Sequence, residues 1–338
     1  MIPPRPAIVG IAGPVLSAEE ARLLATAPPA GVILFARNIL EPAQVRRLVT
    51  DLRTARGPAP LLLLVDQEGG RVQRLGPPHW RRLPAAAAIG GLAARDPTAA
   101  ARAAFLAGRL IARDLAEVGI DATAAPVLDL GLPETTSAIG DRAFAADPSL
   151  VGRLGRAFLR GLGAGGVLGV VKHLPGHGRA RVDSHRELPR VDASRALLEA
   201  SDFRPFAACA SAPLGMTAHV LYPALDPERP ATLSARIVAE VIRGRIGFRG
   251  LLLSDDLEMG ALDGPLSERA RAALAAGCDL VLACSGELAR NAALLAALPP
   301  VAAALEEKLA ALACRPPPEA PFDAEAAAAE LAALVGLS

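Results

Sequence analysis

The chain has 338 residues, 52% of them hydrophobic and 21% charged, so it can bury a large core as one α/β barrel or as two smaller domains. Its formal net charge of +1 gives no electrostatic basis for binding nucleic acid or an anionic membrane. Aromatic residues make up only 3%, which argues against binding through stacked rings. Recognition is therefore expected to depend on hydrogen bonds and charge.

The beginning of the chain is apolar but is interrupted by prolines and glycines, which favours a first strand over a signal peptide. No apolar run in the sequence is long enough to span a bilayer. The four cysteines form no C-x-x-C pair, so buried free thiols in a reducing compartment are expected. These features predict a cytoplasmic protein, expected to be a monomer, with neither nucleic acid nor membrane as a partner.

Eight short apolar runs alternate with eight helix-like segments along the chain. The predicted strands are Ile8–Ala12, Gly31–Phe35, Leu61–Asp66, Ile120–Leu130, Val167–His173, Leu214–His219, Leu251–Asp255 and Leu280–Ser285. The predicted helices are Ser17–Thr26, Pro42–Ala55, Pro97–Val118, Pro148–Gly163, Ala193–Ala210, Ser234–Gly244, Ser267–Gly277 and Glu287–Leu298. This alternation is typical of a parallel sheet buried on both faces, so we predict a single (β/α)₈ TIM-type barrel, with a doubly wound open sheet as the alternative.

Polar residues at the ends of the predicted strands favour the barrel. They are Asp66, Lys172, His173, His219 and Asp255, contributed by different predicted strands except for the adjacent Lys172 and His173. In a barrel the carboxyl ends of all strands converge on one mouth, whereas an open sheet would spread these residues along an edge.

The barrel is expected to occupy residues 1–312 as the catalytic domain. Pro316, Pro317 and Pro318 mark a stiff break in the chain. Residues 313–338 are therefore predicted to form a proline-rich break and a short C-terminal helix, which packs on the outside of the barrel and has no catalytic role.

Three of the five histidines, His173, His177 and His185, lie in one short stretch. Histidine is the side chain whose unperturbed pKa suits proton transfer near neutral pH. The neighbouring Lys172 is one of only two lysines in a chain that otherwise uses arginine, which indicates a need for a compact ammonium group. Glycines and a proline exclude a regular helix here, so we predict a loop that carries chemistry.

Asp183 and His185 form a possible acid/base pair. In an extended segment residues two apart point the same way, so the Asp183 carboxylate is expected to hydrogen-bond the imidazole of His185. Such a partner fixes the tautomer of a general acid that later acts as a base. The alternative is a solvated loop with an incidental ion pair, and this short motif alone favours that alternative. Gly176 and Gly178 give the loop both a defined shape and mobility, so it is expected to close over a substrate.

Two carboxylates follow the predicted seventh strand. Asp255 is the first polar group after the strand's end, where a carboxylate can attack an electrophilic carbon or stabilise a cation. Asp256 is expected instead to cap the following helix.

Another strand end runs from Asp66 into a glycine turn, where Gly69 and Gly70 permit positive φ. Asp66 is able to accept hydrogen bonds from sugar hydroxyls, and the arginines that follow it, Arg71 and Arg74, either fix a substrate or brace the loop. Arg142 follows the fourth strand; an isolated arginine is more often structural, and only its position in a loop favours function.

Four motifs together resemble the signatures of family 3 glycoside hydrolases, and more narrowly those of bacterial β-N-acetylglucosaminidases that act in cell-wall recycling. The motifs are Asp66–Arg71, Lys172–Gly178, Asp183–Pro189 and Ser254–Met259, in that order. The resemblance extends from about Gly31 to the eighth strand and so covers most of the chain.

The resemblance implies a (β/α)₈ barrel and a retaining mechanism with a covalent glycosyl-enzyme, without cofactor or metal. It implies that Asp255 is the nucleophile and that His185 is the general acid/base with Asp183 as its partner. The residues implied to hold the N-acetylglucosamine are Asp66, Arg74, Arg142, Lys172 and His173. The substrate implied is a muropeptide with a terminal N-acetylglucosamine. An anhydro-muropeptide and a chitin fragment present the same terminal sugar, so the sequence leaves the aglycone open.

The histidine departs from the usual scheme of two carboxylates but is characteristic of this branch of the family. The resemblance also implies that other family 3 enzymes, such as β-glucosidases, use a glutamate from a second domain. We expect no room for that domain in this chain, which argues against the glucosidase branch. Arg179 and Arg181 depart from the pattern and are expected to alter the aglycone side or the mobility of the loop.

Two hypotheses from other classes remain open. A metal-dependent barrel hydrolase would bind zinc through His173, His177, His185 and Asp183, although their spacing matches no standard ligand pattern and Asp255 would be idle. A non-catalytic sugar-binding barrel is the other, against which the intact pair and Asp255 argue. Within the glycosidase hypothesis, phosphate can replace water as acceptor, because a histidine repels an anion less than a carboxylate does.

Overall fold

The computed structural model describes residues 2–313 and 321–336. Its strands are β1 (Arg5–Gly10), β2 (Pro29–Leu34), β3 (Leu62–Val65), β4 (Gln67–Gly69), β5 (Val72–Gln73), β6 (Ala122–Thr123), β7 (Leu168–Leu174), β8 (Leu214–Thr217), β9 (Leu251–Asp256) and β10 (Leu280–Ala283). Eight of them close into a parallel barrel in the order β1-β2-β3-β6-β7-β8-β9-β10, and β4 and β5 form a separate antiparallel hairpin. The predicted barrel is confirmed, and the open sheet is wrong.

Continuous apolar strands form because each strand is buried on both faces. Alternate side chains fill the interior of the barrel: Ile8, Ile33, Leu64, Val170, Met216, Leu253 and Leu282. Their neighbours point outward into the layer beneath the helices: Val9, Val32, Leu63, Val171, Leu252 and Val281. This alternation follows from the two-residue period of a strand, and the charged residues Lys172 and Asp255 lie near the carboxyl ends of their strands.

Helices surround the barrel. They are α1 (Ala18–Thr26), α2 (Pro42–Arg56), α3 (Ala86–Gly91), α4 (Pro97–Glu117), α5 (Pro148–Ala164), α6 (Arg195–Ala200), α7 (Phe203–Ala208), α8 (Leu266–Ala276), α9 (Leu288–Ala297), α10 (Ala303–Ala313) and α11 (Ala324–Val335), with a π-helical segment at Ile237–Arg245. Local sequence explains several starts. Ser17 and Glu20 form a reciprocal capping box before α1, and the side chains of Asp96 and Asp147 cap α4 and α5, each of which begins with proline.

The predicted helix Ala193–Ala210 is wrong at its centre, where α6 and α7 are separate helices. Ser201 donates its hydroxyl to the Leu197 carbonyl and to Asp202, and the buried Asp202 carboxylate pairs with Arg179. These side-chain bonds replace the backbone ladder at the break. The predicted helix beginning at Ser234 exists in π-helical form, and its capping hydroxyl accepts the Ile237 N–H at 3.1 Å.

The last two helices of the chain cover different surfaces of the barrel. Helix α10, which was not predicted, packs Leu309 against the interior residues at the amino ends of the strands. Helix α11 lies on α4, where Arg102 makes two 2.7 Å bonds to Glu330 and the Arg109 guanidinium lies 4.2 Å from the ring centre of Phe322. The predicted break at Pro316–Pro318 lies outside the described residues, and the division at residue 312 stays a prediction.

The thiols are mostly buried, as expected. Burial raises the pKa of both Cys209 and Cys278 to about 12, so neither is reactive at neutral pH. Cys284 is only partly buried, but burial and the neighbouring carboxylates raise the pKa of its thiol as well. Cys314 lies outside the described residues. None of the described helices is both long enough and apolar enough to cross a membrane.

Candidate active site

A cavity of about 400 Å³ opens at the carboxyl ends of the barrel strands. It is lined by all eight residues to which the resemblance gives a role: Asp66, Arg74, Arg142, Lys172, His173, Asp183, His185 and Asp255. His219, which was also expected at the mouth, is fully buried and is not part of the lining. The fold thus brings together side chains that are as much as 189 residues apart (255 − 66). Their chemical roles depend on the contacts that each one makes.

One wall of the cavity is a network of opposite charges. The ammonium of Lys172 lies 3.1 Å from Asp66 and 2.7 Å from Glu68. Arg142 donates two parallel 2.8 Å bonds to Glu68, and Arg74 lies 3.2 Å from Asp66. Three cations and two carboxylates therefore hold one another in place without a ligand.

The same contacts keep these groups ionised. Burial by itself would raise the pKa of Asp66 and Glu68, but the charges of Lys172 and its neighbouring arginines outweigh it and lower both values. Burial would lower the pKa of Lys172, but Glu68 and Asp66 raise it. At neutral pH the wall presents fixed charges and hydrogen-bonding groups, which suit a polyhydroxyl ligand.

Sequence reasoning missed Glu68. It belongs to β4, within the same motif as Asp66, but nothing in that motif indicates which cations it will contact. Its partners Arg142 and Lys172 lie 74 and 104 residues further along the chain (142 − 68 and 172 − 68). An acidic residue two positions after a strand-end aspartate was the only available signal.

Asp255 lies at the end of β9 and accepts the Asp256 N–H at 2.8 Å. Burial by itself would raise the pKa of the Asp255 carboxyl, but the attraction of His173 and His219 outweighs it and lowers the value. The side chain is therefore an ionised carboxylate in a largely enclosed place, which is the state that a nucleophile needs.

Asp256 does not cap a helix, so that expectation is wrong. The next helix begins only at Leu266, and the Asp256 carboxylate instead accepts the N–H groups of Glu258 and Cys284 at 3.1 and 3.2 Å. It ties the loop after β9 to the loop after β10. Burial raises the pKa of Asp256 to about 6.

His173 is held by a second carboxylate that sequence reasoning missed, Asp129. The His173 Nδ1 lies 2.6 Å from Asp129 Oδ2, while Asp129 Oδ1 accepts the His177 N–H at 2.6 Å. Burial opposes ionisation of Asp129, but His173 lowers its pKa. An ionised Asp129 places the proton on Nδ1 and leaves Nε2 of His173 for the cavity.

Asp183 and His185 are in contact, but for a different reason from the one expected. Asp183 Oδ1 lies 2.7 Å from His185 Nδ1 and also accepts the His185 N–H at 3.0 Å. The backbone is a tight turn closed by the Arg186 N–H on the Asp183 carbonyl, not an extended segment. Although burial slightly opposes it, hydrogen bonding from His185 lowers the pKa of Asp183. Nε2 of His185 is left for proton transfer.

The two unusual arginines do not face the cavity. Arg179 lies 2.7 Å from Asp202 and 3.1 Å from the Ser201 hydroxyl, so it ties the loop after β7 to the break between α6 and α7. Arg181 is exposed. The structure thus favours an effect of Arg179 on loop mobility over an effect on the aglycone side.

The residues of the metal hypothesis have separate protein partners. His173 pairs with Asp129, His177 with Ser184, and His185 with Asp183. Within residues 2–313 and 321–336, no three His, Cys, Asp or Glu side chains are grouped so that they could hold a metal ion. The geometry gives this hypothesis no support.

Comparison with known proteins shows which family and which relatives the chain is similar to. The family model for the N-terminal domain of glycosyl hydrolase family 3 matches residues 9–313. The chain is 46% identical to a β-hexosaminidase of Alkalilimnicola ehrlichii over 284 residues, which are 83% of this chain and 80% of that protein. It is 43% identical to a β-hexosaminidase of Chromobacterium violaceum over 312 residues, which are 91% of this chain and 86% of that protein.

Solved structures agree with these relatives. NagZ from Neisseria gonorrhoeae, in complex with N-trifluoroacetyl-D-glucosamine, superposes with a TM-score of 0.89 at 36% identity, covering 99% of both chains. The same protein has also been solved in complex with zinc ion. A family 3 β-N-acetylglucosaminidase from Paenibacillus sp. str. FPU-7 has a TM-score of 0.84 at 32% identity, over 97% of this chain and 66% of that one.

Proposed function

The chain belongs to glycosyl hydrolase family 3, and from that premise we propose that it is an exo-acting, retaining β-N-acetylglucosaminidase. Its relatives among the β-hexosaminidases support removal of terminal N-acetylglucosamine. The observation that carries the mechanism is that one cavity contains an ionised, partly buried carboxylate, a carboxylate-held histidine and a wall of fixed charges. These are the nucleophile, the acid/base and the sugar-binding surface that such a reaction needs.

The reaction proceeds in two steps. In the first, the Asp255 carboxylate attacks the anomeric carbon while His185 Nε2 gives its proton to the leaving oxygen, which forms a covalent glycosyl-enzyme. In the second, His185 takes a proton from water as the water oxygen attacks the anomeric carbon, which frees Asp255 and releases the sugar. Asp183 holds Nδ1–H of His185 in both steps, and acid/base assistance of this kind contributes on the order of 10²–10⁴-fold.

The sugar is held by the charged wall. Its members are Asp66, Arg74, Arg142, Lys172 and His173. Because these groups are already fixed by one another and by Glu68 and Asp129, they do not have to reorganise as charge develops on the sugar ring. This preorganisation stabilises the transition state more than the free substrate.

We propose a peptidoglycan-derived muropeptide as the substrate and water as the acceptor. A cavity of about 400 Å³ with an open mouth accommodates one sugar residue and leaves the aglycone outside. The protein is proposed to act as a cytoplasmic monomer, with residues 1–312 as the catalytic barrel and 313–338 as a packed tail. Phosphate as acceptor is the alternative within this reaction.

The test is hydrolysis of 4-nitrophenyl N-acetyl-β-glucosaminide beside the matching β-glucoside, with and without a chelator. Wild type, Asp255→Asn and the surface control Asp192→Asn are compared. Cleavage of the N-acetyl substrate alone, lost only in Asp255→Asn and indifferent to chelator, supports the proposal. Activity that survives Asp255→Asn but is lost with chelator would favour a metal-dependent hydrolase. Sugar binding without hydrolysis would favour the non-catalytic barrel, and sugar phosphate formed in phosphate buffer would identify that acceptor.

A further inference from the structure

The acid/base pair lies on a segment that reaches over the open mouth of the cavity. The side chains of Asp183 and His185 are 34% and 66% exposed, yet Ser184 between them is only 5% exposed. A general acid must stay within hydrogen-bond reach, about 3 Å, of the oxygen that it protonates. An exposed turn does not hold such a position unless contacts to the barrel restrain it.

The buried Ser184 makes the first of these contacts. Its hydroxyl lies 3.2 Å from Nε2 of His177, a side chain that lines the cavity and is 2% exposed. The backbone N–H of His177 is in turn held by Asp129, the carboxylate that also holds His173. One buried carboxylate thus supports both a sugar-binding histidine and the anchor of the acid/base segment.

The state of His177 suits a structural hydrogen bond better than proton transfer. Burial and the neighbouring His173 lower its pKa to about 4, so its ring is neutral at neutral pH. A neutral imidazole exchanges one hydrogen bond with a serine hydroxyl at little electrostatic cost. The two-step reaction proposed above makes no other use of this ring.

The loop that carries the nucleophile makes the second contact. Gly260, five residues after Asp255 (260 − 255), donates its N–H to the His185 carbonyl at 3.2 Å. A Cβ at this position would lie 2.9 Å from the His185 carbonyl oxygen and 2.8 Å from that of Arg186. The two catalytic segments therefore meet backbone to backbone, and only glycine permits the approach.

We propose that His177, Ser184 and Gly260 are positioning residues, which hold the acid/base segment in register with the nucleophile. The inference rests on the proposed function, because it assigns a purpose to contacts around Asp183 and His185. The hydrogen bond between His177 and Ser184 holds the segment over the cavity. The contact at Gly260 sets the distance between the segment and the loop of Asp255. A displacement of about 1 Å at a reacting group is enough to cost on the order of 100-fold in rate.

The test separates proton delivery from sugar binding. His177→Ala, Ser184→Ala and Gly260→Ala are compared with wild type on two substrates: the 4-nitrophenyl glycoside, whose leaving group needs no proton, and a β-linked N-acetylglucosamine disaccharide, whose leaving group does. We expect kcat/KM to fall roughly 10- to 100-fold for the disaccharide in each variant, with little change for the nitrophenyl substrate. The nitrophenyl kcat, unlike its kcat/KM, is expected to fall, because the water of the second step still needs His185 as base. Azide, a nucleophile that needs no deprotonation, is expected to restore this kcat and to yield the glycosyl azide.

Matched controls exclude general damage. His79→Ala removes an exposed histidine, and Gly13→Ala adds a methyl group where nothing lies within 4 Å, so both are expected to match wild type. His177→Asn retains a hydrogen-bonding group and is expected to recover part of the disaccharide activity. If His177→Ala does not fold, Ser184→Ala and Gly260→Ala still decide the question.

Three outcomes overturn the positioning role. They are equal losses on both substrates, no loss on the disaccharide, and nitrophenyl turnover that is lowered but not restored by azide. An inactive wild type would refute the proposed function instead, so the two failures are distinguishable.

Discussion

Replacing Glu68 with glutamine tests whether the charged wall is built around this buried carboxylate. The glutamine side chain would have the shape of the original but only one acceptor oxygen, and its amide N–H₂ would face a donor on Arg142 or Lys172. Arg142 and Glu68 are only 12% and 7% exposed, and their two bonds are 2.8 Å long. Removing one partner of such a buried pair costs about 3–5 kcal/mol, because the other charge is left uncompensated.

The chain contains a matched control on its surface. Arg102 and Glu330 make the same two-bond contact at 2.7 Å, but their side chains are 49% and 43% exposed. Solvent screens this pair, so Glu330→Gln is expected to cost about 0–1 kcal/mol. The two substitutions remove the same charge from the same two-bond arginine contact, and they differ in burial and in the additional contact of Glu68 with Lys172.

The free energy of unfolding in urea, measured for both variants between about pH 3 and pH 8, is the assay. Because the pKa of Glu68 is lowered in the folded state, its stabilisation is complete above the unfolded value and is lost as pH falls through the folded one. The deficit of Glu68→Gln should therefore be full at neutral pH and shrink below about pH 4. We also expect KM for the N-acetyl substrate to rise. A loss at neutral pH no larger than that of Glu330→Gln would refute the reasoning.

Three further predictions concern other parts of the molecule. Asp129→Asn removes the charge that fixes the proton on Nδ1 of His173, so kcat/KM for the nitrophenyl substrate should fall roughly 10- to 100-fold, measured against unchanged circular dichroism. Burial raises the pKa of Asp256 to about 6, so the folded state loses stability as pH rises towards that value. The melting temperature of Asp256→Asn relative to that of wild type should therefore be higher at about pH 8 than at about pH 4.5. Deleting residues 313–338 should lower the melting temperature but leave kcat/KM unchanged, since α11 contacts the outer helix α4 and not the cavity.

The barrel could be predicted because its signal is local. Several strands contain an uninterrupted apolar run such as Leu62–Val65, and several helices start at a recognisable cap such as Ser17 or Asp96. Where the prediction was wrong, a distant contact decided the structure. At the break between α6 and α7, Asp202 is buried against Arg179, 23 residues earlier in the chain. The sequence of the predicted helix alone does not reveal this contact.

The residues of the candidate site likewise fall into those with a local sequence signal and those without one. Strand-end residues such as Asp66 and Asp255 were identifiable because a polar group directly after a buried strand is conspicuous. Glu68 and Asp129 were not, because each matters only through partners that the fold brings to it from elsewhere in the chain. The pair Asp183 and His185 was recognised from its spacing, but the turn that produces the contact depends on a backbone bond that the spacing does not reveal.

The distribution of burial over the site accounts for its use of a histidine. The groups proposed to hold the sugar and to attack it are built into the barrel, where opposite charges beside Asp255 and Lys172 keep them ionised. The acid/base must reach a leaving oxygen at the open mouth, where no buried apolar surroundings exist to raise the pKa of a second carboxylic acid into the neutral range. Histidine is the side chain that most often serves as a general acid and base in proteins. An exposed acid/base at this place must be held in position, and the contacts at Ser184 and Gly260 are proposed to do so.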